Sequence, residues 1–147
     1  MNYAGFFRRF FALLIDQIAM SILAFLVSFI LVGALGLTFG TESGFVSFLS
    51  GTAAFITYII LIFFQFLYFG YFWSKSGQTV GMKLLNIKVV RQGDEAPLSF
   101  WRAAFRGTLG YIISGFVFSL GFIWAAFDGQ KEAWHDKLFD TWVVRSE

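Results

Sequence analysis

The sequence predicts an all-α integral membrane protein: two full transmembrane helices, a third span or short helical hairpin, and a small cytoplasmic β-element. Three observations carry this. The 147 residues are 58% hydrophobic and 14% charged, against about 45–50% and about 25% in soluble domains. Three long stretches are apolar and almost free of charge. The Lys and Arg residues fall in two blocks and are missing from the first loop.

The first stretch runs from Phe10 to Leu37, 28 residues with a single charge, Asp16. As a helix it is roughly 42 Å long, enough for a ~30 Å hydrocarbon core. Arg8 and Arg9 open it. Arg9 and Asp16 are seven apart and share a helix face, so a polar stripe marks one end of an apolar rod. A carboxylate there is costly unless partnered. The preferred reading is a structural pair with Arg9, Arg102 or Arg106; the alternative is a titrating proton or cation site.

The second stretch, Gly51 to Trp73, is 23 residues without a charge and predicts a second span. Tyr68, Tyr71 and Trp73 crowd its end as interfacial aromatics do, and Gly77 supplies a helix stop. Gln65 is expected to hydrogen-bond across helices. The 38–50 connection carries Glu42 and no Lys or Arg, whereas residues 74–106 hold six cations: Lys75, Lys83, Lys88, Arg91, Arg102 and Arg106. The positive-inside pattern therefore puts the N-terminus and residues 74–106 in the cytoplasm, in a multi-pass protein of the inner (plasma) membrane. No cleavage site follows a short apolar core, so a removed signal peptide is not expected.

Leu85, Ile87 and Val89 alternate with polar residues, which predicts a strand at 84–90, followed by a Gln92-Gly93-Asp94 turn. Ser99 is placed to cap a helix starting near Phe100. Residues 107–127 are uncharged but broken by glycines, with small residues four apart that permit close helix contact, Gly115 among them. They form either one span or two helices, about 99–113 and 116–127, folding back near Ser114-Gly115. The hairpin is favoured, because residues 141–145 read as a strand that needs the 84–90 strand as its partner on the same side.

Several motifs in this order resemble the RDD family of small membrane proteins, named for an arginine and two aspartates. They are Gly5-Phe6-Phe7-Arg8-Arg9-Phe10 through Asp16, then Gly77-Gln78-Thr79-Val80-Gly81-Met82-Lys83. Arg106 follows, then Trp134-His135-Asp136-Lys137-Leu138 and Asp140-Thr141-Trp142-Val143-Val144. The resemblance covers nearly the whole chain and implies a single transmembrane domain over 1–147. It makes Asp16 and Asp136 the two aspartates and either Arg8 or Arg9 the arginine. The family's biochemistry is largely uncharacterised; transport has been proposed, including cation/proton exchange.

The remaining chemistry is limited. One histidine and no cysteine leave no multi-histidine or thiolate metal site within the chain, and no nucleophile sits in a catalytic setting. No cofactor, metal or enzymatic activity is expected. A net charge of +2 gives no reason to expect nucleic-acid binding. Asp136 and Asp140, one turn apart, are expected to pair with Arg102 and Arg106, while His135 reads as exposed or locally bonded. The turn at Gln78, Thr79 and Lys83 either cradles an anion through backbone N–H groups or caps a helix. Lys75, Lys83, Lys88 and Arg91 are expected to face anionic lipid headgroups, at ~1 kcal/mol each. Three or four helices enclose little volume, so transport calls for a homo-oligomer. The rival function is a membrane assembly or lipid-interaction module whose Arg and Asp residues are structural.

Overall fold

A computed structural model describes residues 2–39, 44–116 and 119–146. Glu42 of the first loop, and the terminal residues Met1 and Glu147 expected in the cytoplasm, lie outside the described residues. Two helices are long and apolar enough to cross a membrane: α1 (Phe6–Phe39) and α2 (Gly44–Lys75). The chain divides into two compact units, one of residues 1–16 and 65–147, the other of residues 17–64.

The 17–64 unit holds the purely apolar parts of both helices. Large side chains are exposed all along it, among them Ile22, Phe25, Phe29 and Ile30 on α1 and Phe48, Phe55, Ile59 and Phe63 on α2. Such faces suit contact with lipid tails.

The other unit holds, among the described residues, the charged side chains, the β-element and every short helix. α2 ends at Lys75 because Gly77 takes a positive φ of 71° and its N–H donates to the Phe72 carbonyl. Thr79 then caps α3 (Val80–Leu84), and Asn86, at φ 54°, turns the chain into β1 (Ile87–Arg91). The strand thus starts later than the alternation suggested, because residues 80–84 are helical. β1 pairs antiparallel with β2 (Thr141–Arg145), Ile87 opposite Arg145 and Arg91 opposite Thr141. The two strand-like runs therefore do meet on one side. Residues before α1 extend the sheet, with Ala4 N–H donating to Val143 O at 2.8 Å and Arg145 N–H to Asn2 O at 2.9 Å.

Ser99 caps α4 (Phe100–Phe105) as expected, accepting from the Arg102 N–H. A π-turn (Arg106–Gly110) links α4 to α5 (Tyr111–Gly115), and the wider turn leaves the Gly107 carbonyl to accept from Gln65 Nε2 at 2.7 Å. The run from Phe100 to Gly115 meets the helical segment Leu120–Ala126, which opens with α6 (Leu120–Ile123), at 105°. This is no straight third span. α7 (Trp134–Leu138) then leads into β2.

Small residues set the closest approach in this bend, at Gly121 among the positions spaced four apart rather than at Gly115. Ser114 and Gly121 are both buried, and a Cβ added at Gly121 would lie 2.8 Å from the Trp134 ring and against the Ser114 backbone. At Gly115 the nearest atom stands 3.8 Å away, at the edge of the Phe122 ring. Gly121→Leu is therefore expected to lower the melting temperature strongly, by the several kcal/mol of an overpacked core. Gly115→Ala should stay within about 0.5 kcal/mol. Thermal unfolding in detergent, followed by size-exclusion recovery, checks both; equal losses would contradict this packing.

Candidate functional site

Two buried carboxylates, Asp136 and Asp16, organise the charged unit. Asp136, fully buried, is the third residue of α7, and its Oδ2 reaches back to the Ala133 N–H at 3.0 Å, the geometry of a carboxylate at a helix start. It forms ion pairs with Arg9 of α1 and Arg106 of the π-turn. The Thr141 hydroxyl, at the start of β2, donates to Oδ1 at 3.2 Å and accepts from Arg106 Nε at 3.0 Å. Arg9 also donates to the Lys131 carbonyl. Burial alone would raise the Asp136 carboxyl, but the two guanidiniums hold it well below the usual carboxylate range.

Arg106 is itself buried, and its guanidinium carbon lies 4.4 Å above the Trp73 ring. Trp73 is fully buried, its indole N–H directed at Met82 Sδ at 3.3 Å. It is a floor for Arg106 rather than the interfacial aromatic expected at the end of a span.

Asp16 is also buried, and here the expected arginine partner is absent: among the described residues no cation lies within ion-pair distance of it. Three uncharged donors hold it instead. The Tyr68 hydroxyl lies 2.9 Å from Oδ1, the Gly81 N–H 3.0 Å from Oδ1, and the Thr79 hydroxyl 2.5 Å from Oδ2. The Gln78–Lys83 turn does cradle an anion, and that anion is the chain's own Asp16. Gly81 is required, since a Cβ would fall on the Ala12 carbonyl. An arginine is not needed because a carboxylate with three good donors already has its lone pairs satisfied.

His135 is buried, contrary to the exposed reading, between the Tyr111 and Phe122 rings at 4.8 and 5.1 Å. Ser114 Oγ accepts from the His135 N–H at 3.1 Å and lies 2.9 Å from Nδ1. Nε2 faces Asp136 Oδ1 at 3.7 Å. Burial drives the imidazole well below its ordinary 6.5; Asp136 opposes this and the two arginines add to it.

Of the other expected residues, Arg8 donates to the Leu85 carbonyl at 3.1 Å. Arg102 and Asp140 form no ion pair among the described residues. Asp140 is exposed, in a turn at a positive φ of 51°. Arg91 is engaged by Asp94. Lys75 and Lys83 are exposed, Lys83 lying 5.7 Å from the Phe72 ring, and Lys88 is half-buried. Tyr68, Thr79, Thr141, Ser114 and Trp73 were not foreseen as partners. Only Thr79 carried a usable signal, a hydroxyl three residues before the Met82 N–H that it caps. No cluster of metal-binding side chains occurs among the described residues.

A cavity of about 340 Å³ borders both carboxylate networks, with Arg9, Asp16, Arg106 and His135 in its lining.

The family model of the RDD family matches residues 3–140. The chain is also similar to the uncharacterised protein YxaI of Bacillus subtilis (strain 168). The two are 34% identical over 149 positions, which cover 96% of each chain. No solved structure matches.

Two outcomes follow from this geometry. Arg106→Gln and Asp136→Asn share one network, so the double variant should lose much less than the sum of the single losses, each about 3–5 kcal/mol. Arg106→Gln combined with Asp16→Asn should be additive within about 0.5 kcal/mol, since the two side chains share no partner. Melting-temperature cycles test both; strong coupling between Asp16 and Arg106 would contradict the partners described here.

The second concerns acid. His135 has a depressed pKa in the fold, so below pH 6.5 the unfolded chain binds the extra proton first. Stability present above 6.5 is then lost as pH falls toward the folded value, by up to about 1.4 kcal/mol per pH unit. Asp136 adds its own loss only below 3.8. His135→Asn should flatten the melting curve between pH 6.5 and 4.5; an unchanged slope would assign the acid sensitivity elsewhere.

Proposed function

The chain belongs to the RDD family, and on that premise we propose that it is a membrane lipid-interaction and assembly module whose Arg and Asp residues are structural. One observation carries this reading: both carboxylates that the family resemblance singles out are buried and partnered, Asp136 by two arginines and Asp16 by three uncharged donors. A transport carboxylate needs a water-accessible path and freedom to change protonation; Asp16 is 2% exposed.

Charge distribution supports a location in the plasma membrane with the N-terminus in the cytoplasm. Lys75 and Lys83, exposed near the end of α2, would then meet anionic headgroups. The exposed apolar faces of residues 17–64 offer surfaces for a second copy as well as for lipid. The name of the similar protein assigns no activity, and we read the chain as non-enzymatic.

A second reading, movement of protons, cations or small solutes by an oligomer, is favoured by one feature: Asp16 borders the cavity.

Proteoliposomes separate the two. The module should give no proton or cation flux above empty vesicles. It should also be stabilised more by phosphatidylglycerol than by phosphatidylcholine, and Lys75→Gln with Lys83→Gln should remove about 1–2 kcal/mol of that difference. A flux that disappears in a well-folded Asp16→Asn variant would overturn the module in favour of transport.

A further inference from the structure

The cavity of about 340 Å³ is graded from an apolar mouth to a polar floor. Phe10, Ile123 and Ser119 at its edge are exposed, while Asp16, His135 and Arg106 at its far wall are buried. Phe6, Leu13 and Phe122 add apolar surface to the lining. The volume lies at the lower end of the ~300–1,000 Å³ typical of small-molecule sites.

One buried donor on the lining is unused: Arg106 Nη1 is the buried side-chain nitrogen without a hydrogen-bond partner among the described residues. Tyr111, half-buried, also lines the cavity, and its hydroxyl is a further donor there. A buried donor left unpaired is costly, so the floor favours an oxygen acceptor. Arg9 and Arg106 are already engaged by Asp136, so nothing favours a compact, strongly hydrated ion. Exposed apolar residues at the mouth favour entry from the bilayer.

We propose that this cavity binds a single-chain lipid, its chain along Phe6, Leu13 and Phe122 and its carbonyl oxygen at Tyr111 and Arg106. The proposal rests on the lipid-interaction reading but concerns the cavity, not the exposed lysines. A fatty acid and a monoacylglycerol share the required chemistry, a chain ending in an oxygen acceptor.

The test uses the full chain in phosphatidylcholine nanodiscs, with diazirine-bearing palmitic acid and diazirine-bearing monopalmitoylglycerol as separate probes. After irradiation, peptide mass spectrometry should find saturable adducts at Leu13, Phe122 and Ile123, displaced by excess unlabelled probe but not by hexadecane. The probe displacing at lower concentration identifies the head. Ala125→Leu, which fills the cavity from a buried wall position, should reduce these adducts about tenfold while leaving adducts at Phe25 and Phe55 unchanged. Tyr111→Phe, a milder change, should raise the half-saturating concentration about fivefold, as expected for one lost hydrogen bond. The proposal is overturned if adducts fall only on exposed faces, if hexadecane competes equally, or if a folded Tyr111→Phe binds unchanged. Cavity adducts that persist without lysine-dependent stabilisation by phosphatidylglycerol would sink the headgroup reading alone.

Discussion

The Asp136 carboxylate, taken wholly out of water, is the constraint on which the charged unit depends. Removing such a group from solvent costs several kcal/mol after relaxation, and one cation rarely offsets that cost. Asp136 therefore has two guanidiniums, a hydroxyl and a backbone N–H. Each comes from a different place in the chain: Arg9 from α1, Arg106 from the π-turn, Thr141 from β2 and Ala133 from the start of α7. Satisfying one carboxylate thus fixes four segments against one another. The sheet then closes the arrangement, since residues 2–4 add to β2 just ahead of Arg9.

Asp16 meets the same problem differently. Its donors are a phenol, a hydroxyl and a backbone N–H, none bearing a charge. The difference follows from position. Asp16 lies on a spanning helix, where bringing in an arginine would add a second desolvated ion. Tyr68 already stands on α2 with an apolar body and a polar tip, and the start of α3 offers its N–H groups without further cost. The two carboxylates therefore join their surroundings by unlike chemistry, and only the Asp136 network is ionic on both sides.

Features set by local sequence were legible, and those set by packing were not. Hydropathy alone identified α1 and α2, and alternation located both strands to within a few residues. The Ser99 cap and the Gly77 stop are local chemistry and were equally plain. The pairing of Asp136 with Arg106 could be anticipated from two acids and two arginines each spaced one turn apart, though Asp140 and Arg102 do not join it. By contrast, an aromatic at the end of a span looks interfacial whether it is exposed, as Tyr71 is, or a buried floor for a guanidinium, as Trp73 is. Spacing likewise marked Gly110, Gly115 and Gly121 alike, while the tight approaches are at Gly110 and Gly121, since small-residue patterns mark a face without saying which member meets a neighbour.

The division of polar groups bears on function. In the unit of residues 1–16 and 65–147, Arg9, Arg106, Asp136 and Asp16 hold the fold, while Arg91 and Asp94 pair at the surface. What faces outward is a mixture of lysines and acidic residues beside a large apolar surface. A pump or enzyme site usually shows the opposite economy, keeping at least one ionisable group reachable and only partly satisfied. Here the buried unsatisfied group is a donor, Arg106 Nη1, and with the Tyr111 hydroxyl it belongs to the lining of a largely apolar cavity. Donors so placed select for an acceptor carried on an apolar body, and within a bilayer the abundant molecules of that description are lipids.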